Sequence, residues 1–404
     1  MMSDSPRFRP DSADHPWRSL WTLNPEVVYL NHGSFGACPI TVLDKQNWLR
    51  SRLEAEPVRF VEDVYESLLD ASRQTLADFL GTQPDHLVFV PNATTGINTV
   101  LRSLSFQPTD ELLVTNLEYN ASRNALNVAA SQSGATVVVA EVPFPLESPQ
   151  QIIDAVLGQV SDKTRLVLLD HVTSQTALIL PLKPLIDTLN QRGIETLIDG
   201  AHAPGMIPLN LDELGATYYT GNCHKWLCSP KGAGFLYVRP DRQSLIRPLV
   251  ISHGANSPRC DRSFFHLEFD WVGTTDPTPY LCIPKAIQFL RSLLPGGWSE
   301  LMTHNRQMAL SARAMLCKAL HISPPCPAEM VGSMATLPLP NGDAEPLQKT
   351  LFHQFGIEVP IIPWQGVSNR LIRISAQIYN TPAEYDYLST TLVKVLTEPL
   401  EGLG

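Results

Sequence analysis

YYTGNCHKWLCSPKGAGFLYV, residues 218–238, sets a Cys-His-Lys run between two apolar segments. Each flank is short and rich in aliphatic and aromatic residues, as expected of strands buried on both faces. Gly232 and Gly234 permit a tight turn and a close backbone approach into the second flank. Between them, Lys225 lies in a segment of low polarity beside Trp226. Desolvation lowers a lysine pKa and frees its amine as a nucleophile; the plain alternative is a solvated surface lysine. Cys223, His224 and Cys228, with His202 as a fourth group, are conceivable metal ligands. Their spacing matches no common zinc pattern, so no metal is expected.

Working outward, further apolar runs precede this stretch: HLVFV (86–90), ELLVT (111–115), ATVVVAEV (135–142), TRLVLLDHV (164–172) and ETLID (195–199). With TYYTG (217–221) and GFLYV (234–238) they predict seven strands. Helical patterns such as ATTGINTVLRSLS and PLKPLIDTLNQRG lie between several of them, so the fold class is α/β with a mainly parallel sheet. The last two runs are close enough to be joined by a loop. Beyond residue 290 a long helix (GGWSELMTHNRQMALSARAMLCKAL) leads to short strand candidates, SMATLPL, IEVPII and RLIRISA, and a last helix, TPAEYDYLSTTLVKVL. This predicts an arm over 1–25, a large domain over 26–288 and a smaller α+β domain over 289–404, with a helix crossing the second boundary.

The 404 residues are 44% hydrophobic and 17% charged, the balance of a globular chain. A net charge of −10 argues against a nucleic-acid partner. No apolar run reaches membrane-spanning length, and the polar start, MMSDSPRFRPDSADHPWRSL, does not read as a secretion signal. Seven irregularly spaced cysteines read as cytosolic thiols, so a cytoplasmic location is expected.

In parallel sheets reactive groups sit beyond the carboxyl ends of the strands. After the first run, PNATTGINTVL offers a helix start with Thr94 and Thr95, which suits either a phosphate cradle or a helix cap. Tyr119, after the second, can stack on a flat ring or pack its body under a helix. Thr173 and Ser174, after the fourth, are hydrogen-bonding groups or turn formers. Asp199 ends the fifth, where a carboxylate is costly unless paired; a protonated ring nitrogen would pair it, and a solvated turn is the alternative. His202 follows three residues later.

Taken together, YLNHGSFGACP (29–39), PNATTG (91–96), LEYNA (117–121), DHVTSQTALILP (170–181), LIDGAHAPG (197–205), GNCHKWLCSPKGAGFLYV (221–238), WVGTTDPTPYL (271–281) and RLIRISAQIYNT (370–381) resemble the class V aminotransferase family of pyridoxal-phosphate (PLP) enzymes, fold type I. Within it the likeness is to the isopenicillin N epimerase-like branch, over nearly the whole chain. The resemblance implies that Lys225 forms the internal aldimine with PLP. Asp199 would hold the pyridine nitrogen protonated, His202 would sit by the 3-hydroxyl with Ser174 close by, and Tyr119 would stack on the ring. Thr94, Thr95, Asn222 and His224 match phosphate ligands. Thr274 or Thr275 would reach the phosphate of a partner subunit in a homodimer. Arg373 matches the arginine that forks onto the substrate carboxylate, and Asn31, His32 and Ser34 would line the substrate side.

PLP is an electron sink, so these residues imply a carbanion at Cα of an amino-acid substrate, with Lys225 moving the proton. Epimerisation, C–S β-elimination and transamination share that step, through an external aldimine and a quinonoid. Epimerisation needs a second proton carrier, for which His32 and Tyr119 are candidates. A persulfide-forming desulfurase needs a cysteine shortly before the carboxylate-binding arginine, and FGIEVPIIPWQGVSNRLIRIS (355–375) has none. A catalytically silent PLP fold used for binding is the alternative from another class; the intact Asp199, Lys225 and Arg373 count against it.

Overall fold

The computed structural model describes residues 16–397. Its strands, in chain order, are β1 (Val28–Tyr29), β2 (Leu87–Val90), β3 (Glu111–Thr115), β4 (Thr136–Ala140), β5 (Thr164–Asp170), β6 (Glu195–Asp199), β7 (Tyr218–Asn222), β8 (Gly234–Val238), β9 (Met334–Pro338), β10 (Ile357–Glu358), β11 (Ile361–Pro363) and β12 (Arg370–Ser375). All seven apolar runs read from the sequence become strands of one sheet, in the order β2-β8-β7-β6-β5-β3-β4. β8 runs against both its neighbours, β2 and β7; β3 to β7 pair in parallel. The β7–β8 link is the loop that carries Lys225, as expected.

The lack of alternation in the runs has a direct cause. Successive side chains point to opposite faces, and each face has its own core. Leu113, Val167, Leu169, Ile198, Tyr219 and Phe235 enter one core. Leu112, Val114, Leu166, Leu168, Leu197 and Leu236 enter the other. Gly234 supplies the close approach expected of it: a Cβ there would lie 2.9 Å from Asn92 Cα.

The second sheet is small and antiparallel, ordered β11-β12-β9. The IEVPII run does not make a single strand. It splits at Pro360, which has no N–H to donate: β10 pairs with β1, and β11 pairs with β12. The β1–β10 pair ties the segment at 28–39 to the C-terminal part of the chain. Helix Gly297–Leu320 follows the predicted long helix, and helix Ile283–Arg291 lies across the expected boundary at 288. The last helix, Pro382–Thr397, opens with a capping box, in which Thr381 Oγ1 accepts the Glu384 N–H and Glu384 Oε2 accepts the Thr381 N–H. Residues 1–15 of the expected arm lie outside the described residues. Of its remainder, Arg18 is buried against Glu384 at 3.2 Å, and Trp21 packs on Tyr379. Among the described residues no helix is long and apolar enough to cross a membrane.

Candidate active site

The carboxyl ends of the central strands meet the loop between β7 and β8. Lys225 comes from that loop. Its Nζ stands 3.2 Å from His202 Nε2. Burial, and then the charge of Arg373, lower the Lys225 pKa to about 8, against the pull of Asp199 and Asp170. Burial and the same two cations hold the His202 pKa well below its usual value, so this imidazole is neutral. Its Nδ1 is buried with no hydrogen-bond partner among the described residues.

Asp199, the last residue of β6, forms the floor. Its Oδ2 accepts the Ser122 hydroxyl at 2.7 Å and its Oδ1 accepts the Ala201 N–H at 3.0 Å. Burial raises its pKa, although these hydrogen bonds and Lys225 oppose the shift. Asp170 is its in-register neighbour on β5, and Glu118 comes from the turn after β3. Carboxylate oxygens of Glu118, Asp170 and Asp199 lie within 4.8 Å of one another, all buried. At that spacing, like charges repel by about 3–4 kcal/mol per pair for an effective dielectric of about 20. Burial, and then mutual repulsion, accordingly push Glu118 and Asp170 well above the usual carboxylate range. Glu118 and Asp170 both lie in the motifs quoted above, yet only the register of β3, β5 and β6 reveals that they converge. Ser122 could have been found from its place one turn after Tyr119.

The segment expected to cradle an anion is the start of helix Ala93–Ser103. Asn92 caps it, accepting the Thr95 N–H at 2.9 Å, so neither threonine is the cap. Asn222, the last residue of β7, accepts the Ala93 N–H at 2.8 Å. That bond leaves its amide N–H groups as the donors to be shared with a ligand. Thr95 donates its hydroxyl to Asn92 at 3.1 Å, and Thr94 is half-buried beside it. His224 donates from Nδ1 to the Ala233 carbonyl at 3.0 Å, and burial lowers its pKa to about 4. In this neutral tautomer Nε2 is an acceptor, so His224 can donate to a phosphate only after taking up a proton. Tyr119 is 45% exposed, leaving its ring face open.

Arg373, on β12, closes the opposite wall. Its Nη1 donates to the Ser174 carbonyl at 2.6 Å and hydroxyl at 3.3 Å; its Nη2 donates to Ser34 Oγ at 2.8 Å and Asn31 Oδ1 at 3.4 Å. No ion pair forms to this buried guanidinium among the described residues, and its Nε has no hydrogen-bond partner. Burial brings its pKa down to about 10, still cationic at neutral pH. Ser174 therefore sits on the arginine side of the pocket. His32, expected on the substrate side, is fully enclosed, while Thr274 and Thr275 stand exposed on the turn before helix Thr278–Leu281.

The pocket thus has a carboxylate floor, a neutral histidine, an amine, a helix start and an unpaired guanidinium. The model of the aminotransferase class-V family matches residues 28–388. The chain belongs to that family. It is a PLP-dependent enzyme of fold type I, and its residues fit the cofactor: a cationic ring nitrogen would relieve the burial that disfavours the Asp199 carboxylate, and the buried His202 Nδ1 and Arg373 Nε have no hydrogen-bond partner among the described residues. An isopenicillin N epimerase of Amycolatopsis lactamdurans is 34% identical, covering 93% of this chain and 96% of that protein. A probable chloroplastic L-cysteine desulfhydrase of Arabidopsis thaliana is 30% identical, covering 90% and 82%. A cystine C–S lyase solved with its product cysteine persulfide has a TM-score of 0.76 at 23% identity, covering 91% and 97%. Its likeness shows the fold.

Proposed function

We propose that this enzyme removes the Cα proton of an amino acid through Lys225 and adds a solvent-exchangeable proton on the other face, where Tyr119 is the candidate carrier, an isopenicillin N epimerase-like isomerisation. The observation that carries the reading is the Lys225 amine, buried and near neutral in pKa, between Asp199 and a guanidinium that has no carboxylate partner among the described residues. PLP, when bound, supplies the electron sink for the carbanion. Asp199 keeps the ring nitrogen cationic. Asn222, Thr94, Thr95 and the start of helix Ala93–Ser103 hold the phosphate, joined by His224 once it is protonated. Tyr119 covers the ring. Arg373 exchanges its contacts with Ser34, Asn31 and Ser174 for the substrate carboxylate, which fixes Cα near Lys225 Nζ. Lys225 then takes the proton as a general base.

C–S β-elimination is the second reading, favoured by the desulfhydrase among the relatives. It uses the same residues and needs no cysteine near Arg373. A panel of L- and D-amino acids, including cysteine, in deuterated water separates the two. Deuterium at Cα with loss of optical purity supports isomerisation. Pyruvate and ammonia support elimination, and an oxo acid without ammonia overturns both in favour of transamination.

We further propose a cytoplasmic homodimer in which exposed Thr274 or Thr275 reaches the partner's cofactor phosphate. Sedimentation as a monomer under assay conditions would remove that role. The division at residue 288 belongs to the same proposal and is tested by limited proteolysis.

A further inference from the structure

His32 is 0% exposed, and both its ring nitrogens are engaged. Nε2 lies 3.1 Å from the Lys225 carbonyl, and Nδ1 lies 2.7 Å from the Tyr379 hydroxyl. Nε2 also lies 3.4 Å from the Gln377 amide nitrogen and 3.7 Å from Cys228 Sγ, but its shortest contact is to the Lys225 carbonyl, which can only accept. Nε2 therefore carries the ring proton, Nδ1 accepts from Tyr379, and the Gln377 amide donates to Cys228 Sγ at 3.7 Å. Burial lowers the pKa to about 3, so the ring stays neutral in this one tautomer across the working range. Trp226 packs against the ring, with centroids 4.8 Å apart. The Lys225 carbonyl also accepts the Cys228 N–H at 3.0 Å, and Cys228 sits at φ 54, an uncommon backbone for a residue with a Cβ. The Lys225 carbonyl oxygen is therefore held by two donors, one of them supplied from almost two hundred positions away in the sequence.

The same short turn bears on Arg373. Asn31 and Ser34 accept from Nη2, while the Gly33 N–H donates to Ser375 Oγ, two residues along β12, at 3.0 Å. At its far end Gly36 lies against the Lys225 segment, where a Cβ would stand 2.1 Å from the His224 carbonyl. Residues 31–36 thus form a single bridge between the base and the carboxylate-binding wall. An amino acid has a fixed span from Cα to carboxylate, so the placement of Lys225 relative to Arg373 must match it.

We infer that His32 is a positioning residue: by donating to the Lys225 carbonyl it sets where the lysine amine stands relative to Arg373, and it carries no proton in the reaction. This rests on the roles proposed above for Lys225 and Arg373. It removes His32 from the candidates for the second-face proton carrier, because its ring is sealed and its proton is committed to a main-chain oxygen.

The test uses the PLP-loaded enzyme with His32→Phe, His32→Gln and Tyr379→Phe. Glutamine can place an N–H near the Nε2 position but cannot relay a proton. His32→Phe is expected to lower kcat about 100-fold, the cost of a misplacement of about 1 Å. The near-visible cofactor band should still form, and KM should change far less than kcat. His32→Gln should recover to within about tenfold of wild type, with the pH profile of kcat unmoved. Tyr379→Phe, which frees the tautomer, should fall between the two. A glutamine variant as inactive as the phenylalanine one, or a phenylalanine variant with wild-type kcat, overturns the inference. If His32→Phe does not fold, His32→Gln decides alone: near-wild-type turnover with an unmoved pH profile upholds the positioning role, and loss of turnover with the band intact overturns it. Absence of the band in wild type with added PLP would instead sink the proposed function, a result separate from any of these.

Discussion

The floor and the far wall of the pocket are charged in opposite senses, and each is out of balance. At the floor, three buried carboxyl groups crowd within 4.8 Å with one amine nearby. At the wall, a buried guanidinium is held by neutral oxygens from Ser174, Asn31 and Ser34. Either arrangement weakens a fold when left unpaired, since an uncompensated buried charge costs several kcal/mol. Together they suit an occupant that is cationic at the floor and anionic at the wall. That is the polarity of a protonated ring nitrogen and an amino-acid carboxylate, and it explains why the imbalance is tolerated.

The largest expected effect comes from removing the group between the two regions. Lys225→Ala should abolish the near-visible band formed with PLP and lower turnover by on the order of 1,000-fold or more, checked by absorbance and isotope exchange. Next, Arg373→Lys should keep the band and lower kcat/KM by about 10- to 100-fold, because an ammonium cannot copy the planar fork. Loss of PLP from that variant would move Arg373 from the substrate to the cofactor. A smaller effect sharpens the coupling between wall and base. Capture of PLP by the apo-protein should rise with pH about a midpoint near 8, as Lys225 loses its proton. Arg373→Met should shift that midpoint upward, since the arginine charge is the second cause of the depression.

The smallest effect tests the crowding at the floor. Glu118 and Asp170 have raised pKa values in the folded chain. Their contribution to stability is therefore complete below the ordinary carboxylate range, about pH 4, and is lost as pH rises through the raised values. The apo-protein should melt lower at pH 7.5 than at pH 5 on their account. Asp170→Asn should reduce that difference by about one or two degrees in calorimetry. An unchanged difference would mean that the carboxyls do not feel one another.

Much of the floor was legible in the chain. Asp199, Lys225 and Asn222 stand at the ends of apolar runs, and runs of that kind become strands whose carboxyl ends converge. The wall was legible only as an arginine in a quoted motif. Its partners Asn31 and Ser34 lie more than three hundred residues away, a separation across which no periodicity carries. His32 shows the limit most sharply. As a residue type beside a base it reads as a proton carrier, and only its enclosure between Tyr379, Trp226 and the Lys225 carbonyl gives it a different task. Pro360 is the converse: it lies inside an apolar run, and a missing N–H divides that run between two sheets.

The sequence by itself determined the seven strands, the α/β class, the family and the set of chemical groups, because burial on both faces and the order of strand-end residues are local properties. Tertiary structure decided which of those groups face one another. It brought Asp170 and Glu118 beside Asp199, enclosed His32 against the Lys225 carbonyl, and left Arg373 without an acidic partner among the described residues. Those outcomes depend on strand register and on contacts between distant segments, and so does the protonation of every group in the pocket.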